Sequence, residues 1–317
     1  MRRVLNFGSL NLDYVYNVDH FVSPGETLSA KSQNVNPGGK GLNQSCALAR
    51  AGAKVFHAGC VGIGGDTLIR VLRENGVDTS LLVHVEELQG NAVIQVDSAG
   101  ENCILLFGGS NQCIGDQQVI DTISQFSKGD ILLLQNEINH LPLIVEKAYT
   151  QGLSIILNPS PYDERLDEVD FNKLSWLLVN EVEAEQISEA GDPEASWTQI
   201  HRKYPELSVL ITLGQKGSVA FQCCDGKVIK VKQESIPVRA IDTTAAGDTY
   251  TGYFVAALME GKSLKDCMQL ASIAAAISVT REGAAPSIPY RDEVEERLTH
   301  AVCRESLLTR QPRFFQN

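Results

Sequence analysis

The feature that most constrains this chain is a repeated alternation of short apolar runs with helical patterns. The runs are Val4 to Phe7, Val55 to Val61, Ile131 to Leu134, Ile155 to Leu157, Leu177 to Val179 and Val209 to Leu213. Each reads as a parallel strand buried on both faces. Between them lie helical patterns with legible ends. Asn43 to Arg50 stops at Ala51-Gly52, and Asp66 to Glu74, with Asp66 as candidate N-cap, stops at Asn75-Gly76. This rhythm implies a mostly parallel sheet covered by helices. A length of 317 residues fits one large α/β unit or two small ones.

Two stretches break the rhythm. Leu12 to Val35 alternates through Tyr14, Tyr16 and Val18 around a Pro24-Gly25 turn, and Asn91 to Phe107 reads as two strands joined through Asp97-Ser98-Ala99-Gly100-Glu101. Both are antiparallel excursions from the main sheet, either edge strands or a small β lid over a site. The chain ends in Arg313-Phe314-Phe315-Gln316-Asn317, whose aromatic pair would dock or fray.

Charge and cysteine usage exclude several function classes. The 27 Lys and Arg are scattered against 39 Asp and Glu, a net charge of -12. A nucleic-acid binder needs clustered bases, so an anionic substrate here must be met by local donors. No run approaches the roughly 18 apolar residues that span a bilayer. Asn6, Ser9, Asn11 and Asp13 interrupt any signal-peptide core after Met1-Arg2-Arg3. Eight cysteines without a CxxC pair read as reduced thiols of a cytoplasmic protein.

The strongest local signal is Ile241-Asp242-Thr243-Thr244-Ala245-Ala246-Gly247-Asp248-Thr249-Tyr250, leading into an apolar helix over Gly252 to Met259. Small residues at 245 to 247 leave backbone N–H groups bare at a helix N-terminus, where the dipole favours a phosphate. Asp248 in that turn is either a helix cap or a general base beside the phosphate. A second cluster, Asn36-Pro37-Gly38-Gly39-Lys40-Gly41-Leu42-Asn43, precedes another helix. Its glycines permit close approach of a ligand, and Asn43 offers a donor and an acceptor to hydroxyl groups. With Gly41 after Lys40 it is not a P-loop, and neither it nor Gly62-Ile63-Gly64-Gly65 has the dinucleotide-binding register.

Together the two clusters resemble the paired signatures of the ribokinase-like carbohydrate kinases, the PfkB family. Further pieces match in order from about Val4 to Tyr290: Gly8-Ser9-Leu10-Asn11-Leu12-Asp13, Pro24-Gly25-Glu26-Thr27, Asn158-Pro159-Ser160-Pro161, Asn180-Glu181-Val182-Glu183, Thr212-Leu213-Gly214-Gln215-Lys216-Gly217 and Arg281-Glu282-Gly283-Ala284-Ala285-Pro286-Ser287. The resemblance implies a three-layer α/β sandwich around a mostly parallel sheet, plus a small antiparallel β lid. It divides the chain into an α/β core at 1-11, 36-90 and 108-303, a lid at 12-35 and 91-107, and a tail at 304-317. In ribokinases the lids of two subunits pack together, so a homodimer is expected.

The resemblance also assigns roles. Asp248 would deprotonate a primary hydroxyl of the sugar, while the N–H groups of Ala245, Ala246 and Gly247 stabilise the transferred phosphoryl group. Asn11, Asp13, Gly39, Lys40, Asn43 and Glu137 resemble sugar contacts. From the residues alone, Asn11 and Asp13 also read as turn formers and Glu137 as a solvated strand end. On the ATP side stand Asn180, Thr212, Gly214, Lys216, Gly217 and Ser272. Glu183 would organise hydrated Mg2+, or is simply a solvated helix face. A monovalent cation, K+, would be held by Asp242, Ser287 and backbone oxygens at Thr244, Ser278, Arg281 and Gly283; otherwise Asp242 and Ser287 merely cap turns. Leu12 and Leu42 stand where ribokinases usually carry Ala and would add bulk beside the sugar contacts. The expected activity is ATP-dependent phosphorylation of a small sugar, D-ribose to ribose 5-phosphate. The alternatives are a PfkB kinase for fructose, a sugar acid or a nucleoside, and a non-catalytic sugar sensor.

Overall fold

Every one of the six apolar runs falls in a strand, and the period of two along each strand decides the layering. A computed structural model describes residues 2–308. The chain opens with β1 (Val4–Phe7), a hairpin of β2 (Asn11–Asn17) and β3 (Ser32–Gly38), then α1 (Lys40–Arg50), β4 (Val55–Ile63), α2 (Asp66–Glu74) and β5 (Asp78–Leu88). A second hairpin, β6 (Asn91–Val96) and β7 (Asn102–Phe107), precedes α3 (Asp116–Ser124), β8 (Ile131–Gln135), α4 (Leu141–Gln151) and β9 (Ser154–Asn158). The remainder comprises β10 (Trp176–Asn180), α5 (Glu181–Ser188), α6 (Pro193–Lys203), β11 (Ser208–Thr212), β12 (Ser218–Cys224), β13 (Lys227–Gln233), α7 (Ala246–Met259), α8 (Leu264–Ser278) and α9 (Arg291–Leu308).

The main sheet has the order β13-β12-β11-β10-β9-β8-β1-β4-β5. It is parallel from β11 to β5, and β12 and β13 add an antiparallel edge. Alternate residues feed two cores. Leu5, Phe7, Leu132, Leu134, Leu177 and Val179 pack with α3 and α4 residues such as Val119 and Ile144. Val4, Ile131, Leu133, Trp176 and Leu178 face the opposite way, onto α1, α7 and α8 through residues such as Leu48, Phe254 and Met268. Connections from β1 lead outward to β4 and β5 on one side and to β8 through β11 on the other. The crevice beyond the carboxyl ends of β1 and β8 is therefore a topological switch point, where open α/β sheets bind ligands.

The lid is a separate four-stranded sheet of order β3-β2-β6-β7. Its two hairpins are antiparallel and meet through a parallel β2–β6 pair. The outermost strand, β7, is exposed along its whole length.

Several local expectations are corrected. Asp66 is the first helical residue of α2, and the N-cap is Gly65 with no side-chain bond. Helix α1 begins at Lys40, before Asn43, because Gly39 at φ 90° turns the chain directly out of β3. Strands β5 and β13 escaped the apolar-run criterion because they are edge strands carrying polar residues, and β12, between β13 and β11, because its apolar run is short and ends in Gln222-Cys223-Cys224. The turn Asp225-Gly226, with both φ positive, was the usable signal for the last two. Helix α9 runs through position 303 to Leu308, and the Phe314-Phe315 pair lies outside the described residues.

One crossing sets the distance between the two signature helices. A Cβ at Gly252 of α7 would stand 2.4 Å from the Cβ of Ala47 and 2.9 Å from the Leu48 nitrogen of α1. Glycine thus lets α7 lie against α1. Gly252→Val is expected to lower stability by about 1–3 kcal/mol, the usual cost of overpacking, measured by urea denaturation. Wild-type stability in that variant would show that the crossing is not tight.

Candidate active site

Asp248 sits in the first turn of α7 and is 9% exposed. It does not cap its helix. The N-cap is Ala245, in the left-handed region at φ 58°, with no side-chain cap bond. The Asp248 carboxylate instead accepts from α1: Asn43 Nδ2 donates to Oδ2 at 3.0 Å, and Gln44 Nε2 to Oδ1 at 2.9 Å. This arrangement rules out the helix-cap alternative. The Ala246 N–H donates at 3.2 Å to the Thr243 carbonyl, so it is committed to the turn. A Cβ at Gly247 would meet nothing within 4 Å, which leaves the mouth of the helix open to an incoming group.

The sugar-side residues converge on the same place. Asn11 and Asp13 lie two apart in β2, hence on one face of the strand, and are not turn formers. Asn11 Oδ1 accepts from Asn111 Nδ2 at 2.7 Å. A Cβ at Gly38 would fall 1.9 Å from Asp13 Oδ2, so the Asp13 carboxylate rests directly on the β3 backbone. Glu137 follows β8 and is not a solvated end: its Oε2 accepts from the Ser9 hydroxyl, and from the Lys40 N–H at 3.1 Å. Asn43 Oδ1 is buried without a hydrogen-bond partner. Such an acceptor costs free energy until a donor, such as a hydroxyl, reaches it.

Burial, followed by the carboxylates of Glu137 and Asp248, pushes the Asp13 carboxyl up to about 7, against the opposing pull of Lys40. Burial likewise raises Glu137, with Lys40 and its hydrogen bonds acting the other way. Burial alone would lower Lys40, but the surrounding Asp248, Glu137, Glu183 and Asp13 hold its ammonium above the ordinary value. One cation thus serves a ring of carboxylates.

On the other side of Asp248 is a cleft of about 180 Å³ whose lining includes Lys40, Asn180, Glu183, Thr212 and Ala245 to Asp248. Lys40 therefore reaches the phosphate side. Asn180 and Glu183 form a reciprocal capping box at the start of α5, and Glu183 is 6% exposed, not a solvated helix face. Gly214, Lys216, Gly217 and Ser272 do not line this cleft. Lys216 pairs at 3.1 Å with Glu181, and Ser272 is buried in α8 against the Tyr250 hydroxyl. Asp242 accepts from the Thr244 N–H and hydroxyl at 2.8 and 2.6 Å and from the Gly283 N–H at 2.8 Å, and Ser287 donates to the Ala284 carbonyl. Both thus cap turns, and Asp242 also joins the 242–244 loop to Gly283. Ser278 is buried, with its carbonyl accepting from the Arg281 N–H.

Sequence reasoning missed Ser9, Gln44 and Asn111 as parts of the site. Ser9 lies within a quoted motif and Gln44 adjoins one, but Asn111 lies in a short 3-10 turn with no distinguishing pattern. Leu42 is fully buried in the core and Leu12 packs against it, so neither adds bulk to the sugar side.

A carboxylate between a polyhydroxyl-type pocket and a bare helix N-terminus, at the switch point of a parallel sheet, defines a phosphotransferase acting on an alcohol group. The model of the pfkB family carbohydrate kinases matches residues 1–291, and the chain belongs to that family. It is 38% identical to the ribokinase of Haemophilus influenzae over 95% of this chain and 100% of the relative. The ribokinase of Cryptococcus neoformans in complex with ADP superposes with a TM-score of 0.82 at 33% identity, covering 94% of this chain and 100% of that one. The Arabidopsis thaliana ribokinase complexed with ribose and ATP gives 0.83 at 29%, covering 94% and 99%.

The Asp13 shift has a testable sign. Its folded value of about 7 lies above the ordinary 3.8, so between those values the folded state holds the extra proton and stability falls as pH rises. Asp13→Asn removes that loss and should make the ligand-free protein about 1–2 kcal/mol more stable than wild type near pH 8, with little gain near pH 4. Urea denaturation at both pH values checks this, and an equal gain at both would contradict it.

Proposed function

We propose that this kinase transfers the γ-phosphoryl group of ATP to the primary hydroxyl of D-ribose, giving ribose 5-phosphate. The observation that carries the proposal is the Asp248 carboxylate, held by Asn43 on the sugar side while its own backbone forms the mouth of α7. The sugar would rest against Asn11, Asp13, Gly39, Asn43 and Glu137 beneath the β2–β3 and β6–β7 hairpins. Asp248 would take the hydroxyl proton as the oxygen attacks phosphorus, and the N–H groups of Ala245 and Gly247 would receive the phosphoryl oxygens. Ribokinases among the similar proteins, one of them complexed with ribose and ATP, support the choice of sugar.

The residues present fit one ion, Mg2+, and include candidate donors for a second, K+. Glu183 is buried at the cleft with one oxygen committed to its capping box, and its other oxygen suits a hydrated Mg2+, which would neutralise charge on the phosphates. For K+ the donors would be Asp242, Ser287 and the backbone oxygens of Thr244, Ser278, Arg281 and Gly283, although both Asp242 oxygens already accept hydrogen bonds from Thr244 and Gly283. Among the described residues there is no group of three or more His, Cys, Asp or Glu able to hold a metal. The free cysteines Cys46, Cys60, Cys103, Cys113, Cys223, Cys224 and Cys267 support a reducing compartment such as the cytoplasm. Among the described residues, no helix is long and apolar enough to cross a membrane.

The exposed strand β7 supports a homodimer through the lid. Ile104, Leu105, Leu106 and Phe107 are all large, apolar and exposed, Leu105 at 71%, which is how an unsatisfied partner surface looks.

A kinase assay over pentoses, ketohexoses, sugar acids and nucleosides tests the substrate. Ribose should give the highest kcat/KM; turnover only with fructose or a nucleoside would overturn ribose alone, and binding without turnover would indicate a sensor. In the same assay Asp248→Asn should lose about 10²-fold or more in kcat, as for loss of a general base, while binding both substrates within a few-fold. Leu105→Glu should shift the wild-type dimer to monomer in sedimentation; a monomeric wild type would remove the lid interface.

A further inference from the structure

Behind Asp248 runs a chain of side-chain amides, buried at Asn6, Gln44 and Gln135 and half-buried at Asn158, which lines the cleft beside Asp248. Gln44, on α1, is fully buried. Its Nε2 donates to Asp248 Oδ1 and to Asn158 Oδ1, both at 2.9 Å, which uses both of its hydrogens. Its Oε1 accepts from Gln135 Nε2 at 2.7 Å, and that nitrogen also donates to Asn6 Oδ1 at 2.9 Å. Backbone carbonyls anchor both ends: Asn158 Nδ2 donates to Leu178 O at 2.9 Å, and Asn6 Nδ2 to Gly41 O at 2.7 Å.

A carbonyl oxygen can only accept, so the anchors fix which ends of Asn158 and Asn6 present oxygen inward. Asn6 and Gln135 are also fully buried. Flipping the Gln44 carboxamide would set its oxygen against two acceptors and its nitrogen against a donor, with no solvent to repair the mismatch. The orientation of Gln44 is therefore dictated, through Asn158 and Asn6, by backbone carbonyls on strand β10 and at the start of α1.

We infer that Gln44 is a positioning residue for phosphoryl transfer. It pins Oδ1 of Asp248, so that Oδ2, held by Asn43 on the sugar side, is the oxygen presented to the acceptor hydroxyl. An amide neither gains nor loses a proton in this range, so Gln44 contributes geometry alone. The inference rests on the kinase reading above. Small misplacements of a base cost rate steeply, because the reacting atoms must lie within a narrow near-attack range.

Gln44→Met keeps the length and removes the donor. We expect kcat to fall by about 10²-fold, the scale of a misplaced reacting group, with KM for ribose and ATP within about 3-fold and a cooperative thermal melt. Gln44→Glu keeps the acceptor toward Gln135 but turns a carboxyl toward Asp248. With Asp13, Glu137 and Lys40 as the other charged groups facing the base, the acid limb of kcat against pH should move to higher pH, because facing carboxyls retain a shared proton. An unchanged kcat in Gln44→Met overturns the inference, as does a loss confined to KM or to melting temperature. Should that variant fail to fold, Gln135→Met decides: kcat about 10-fold lower with KM intact supports the role, and unchanged kcat overturns it. A wild-type protein that phosphorylates no sugar overturns the kinase reading and this role with it, so the wild-type assay separates the two failures.

Discussion

The contact of Asp248 with Asn43 and Gln44 is the interaction on which the site depends. It joins residues 205 and 204 positions apart, and it exists only because α7 lies against α1 at Gly252. Both helices begin at turns with a positive φ, at Gly39 and Ala245. At α1 the first N–H groups are spent, Lys40 on Glu137 and Gly41 and Leu42 on Ser9, whereas the α7 turn lines the cleft with Ala245 and Gly247. Sheet topology supplies the crevice, the α7 turn supplies an open helix mouth, and the helix crossing brings Asp248 to Asn43 and Gln44. Side chains complete what the backbone frames.

Electrostatics at this crevice are costly for the empty protein. Asp13, Glu137 and Asp248 surround one lysine, and burial pushes the first two up. Much of the hydrogen bonding nearby offsets that burden: Ser9 and the Lys40 N–H hold Glu137, and Asn111 holds Asn11. The unpartnered Asn43 Oδ1 is left for a ligand. A site of this kind is preorganised for a polyhydroxylated guest, whose donors satisfy acceptors that water would otherwise have to reach.

Legibility in the sequence followed the physical range of each signal. Strands buried on both faces leave uninterrupted apolar runs, so β1, β4, β8, β9, β10 and β11 could be read directly. Edge strands carry polar residues for solvent, so β5 and β13 could not, and the short apolar run of β12 was missed with them. Asp66 looked like a cap because cap chemistry is local, yet Gly65 holds that position. Leu12 and Leu42 looked like obstacles beside the sugar, but the face each presents depends on packing, and both turn to the core. Ser272 and Lys216 belong to motifs whose side chains point away from the cleft that the motif borders.

The sequence alone determined the α/β class, the two glycine-rich helix starts and the residue types able to bind hydroxyls, because these depend on periodicity, backbone freedom and local chemistry. Tertiary structure decided that Asp248 is held by Asn43 and Gln44 and not spent as a cap, that Glu183 is buried and Glu137 half-buried, and that a line of amides fixes Gln44. Apart from the local capping box at Glu183, those outcomes depend on which groups meet across long separations of chain, and on the loss of water around them. No local pattern encodes either.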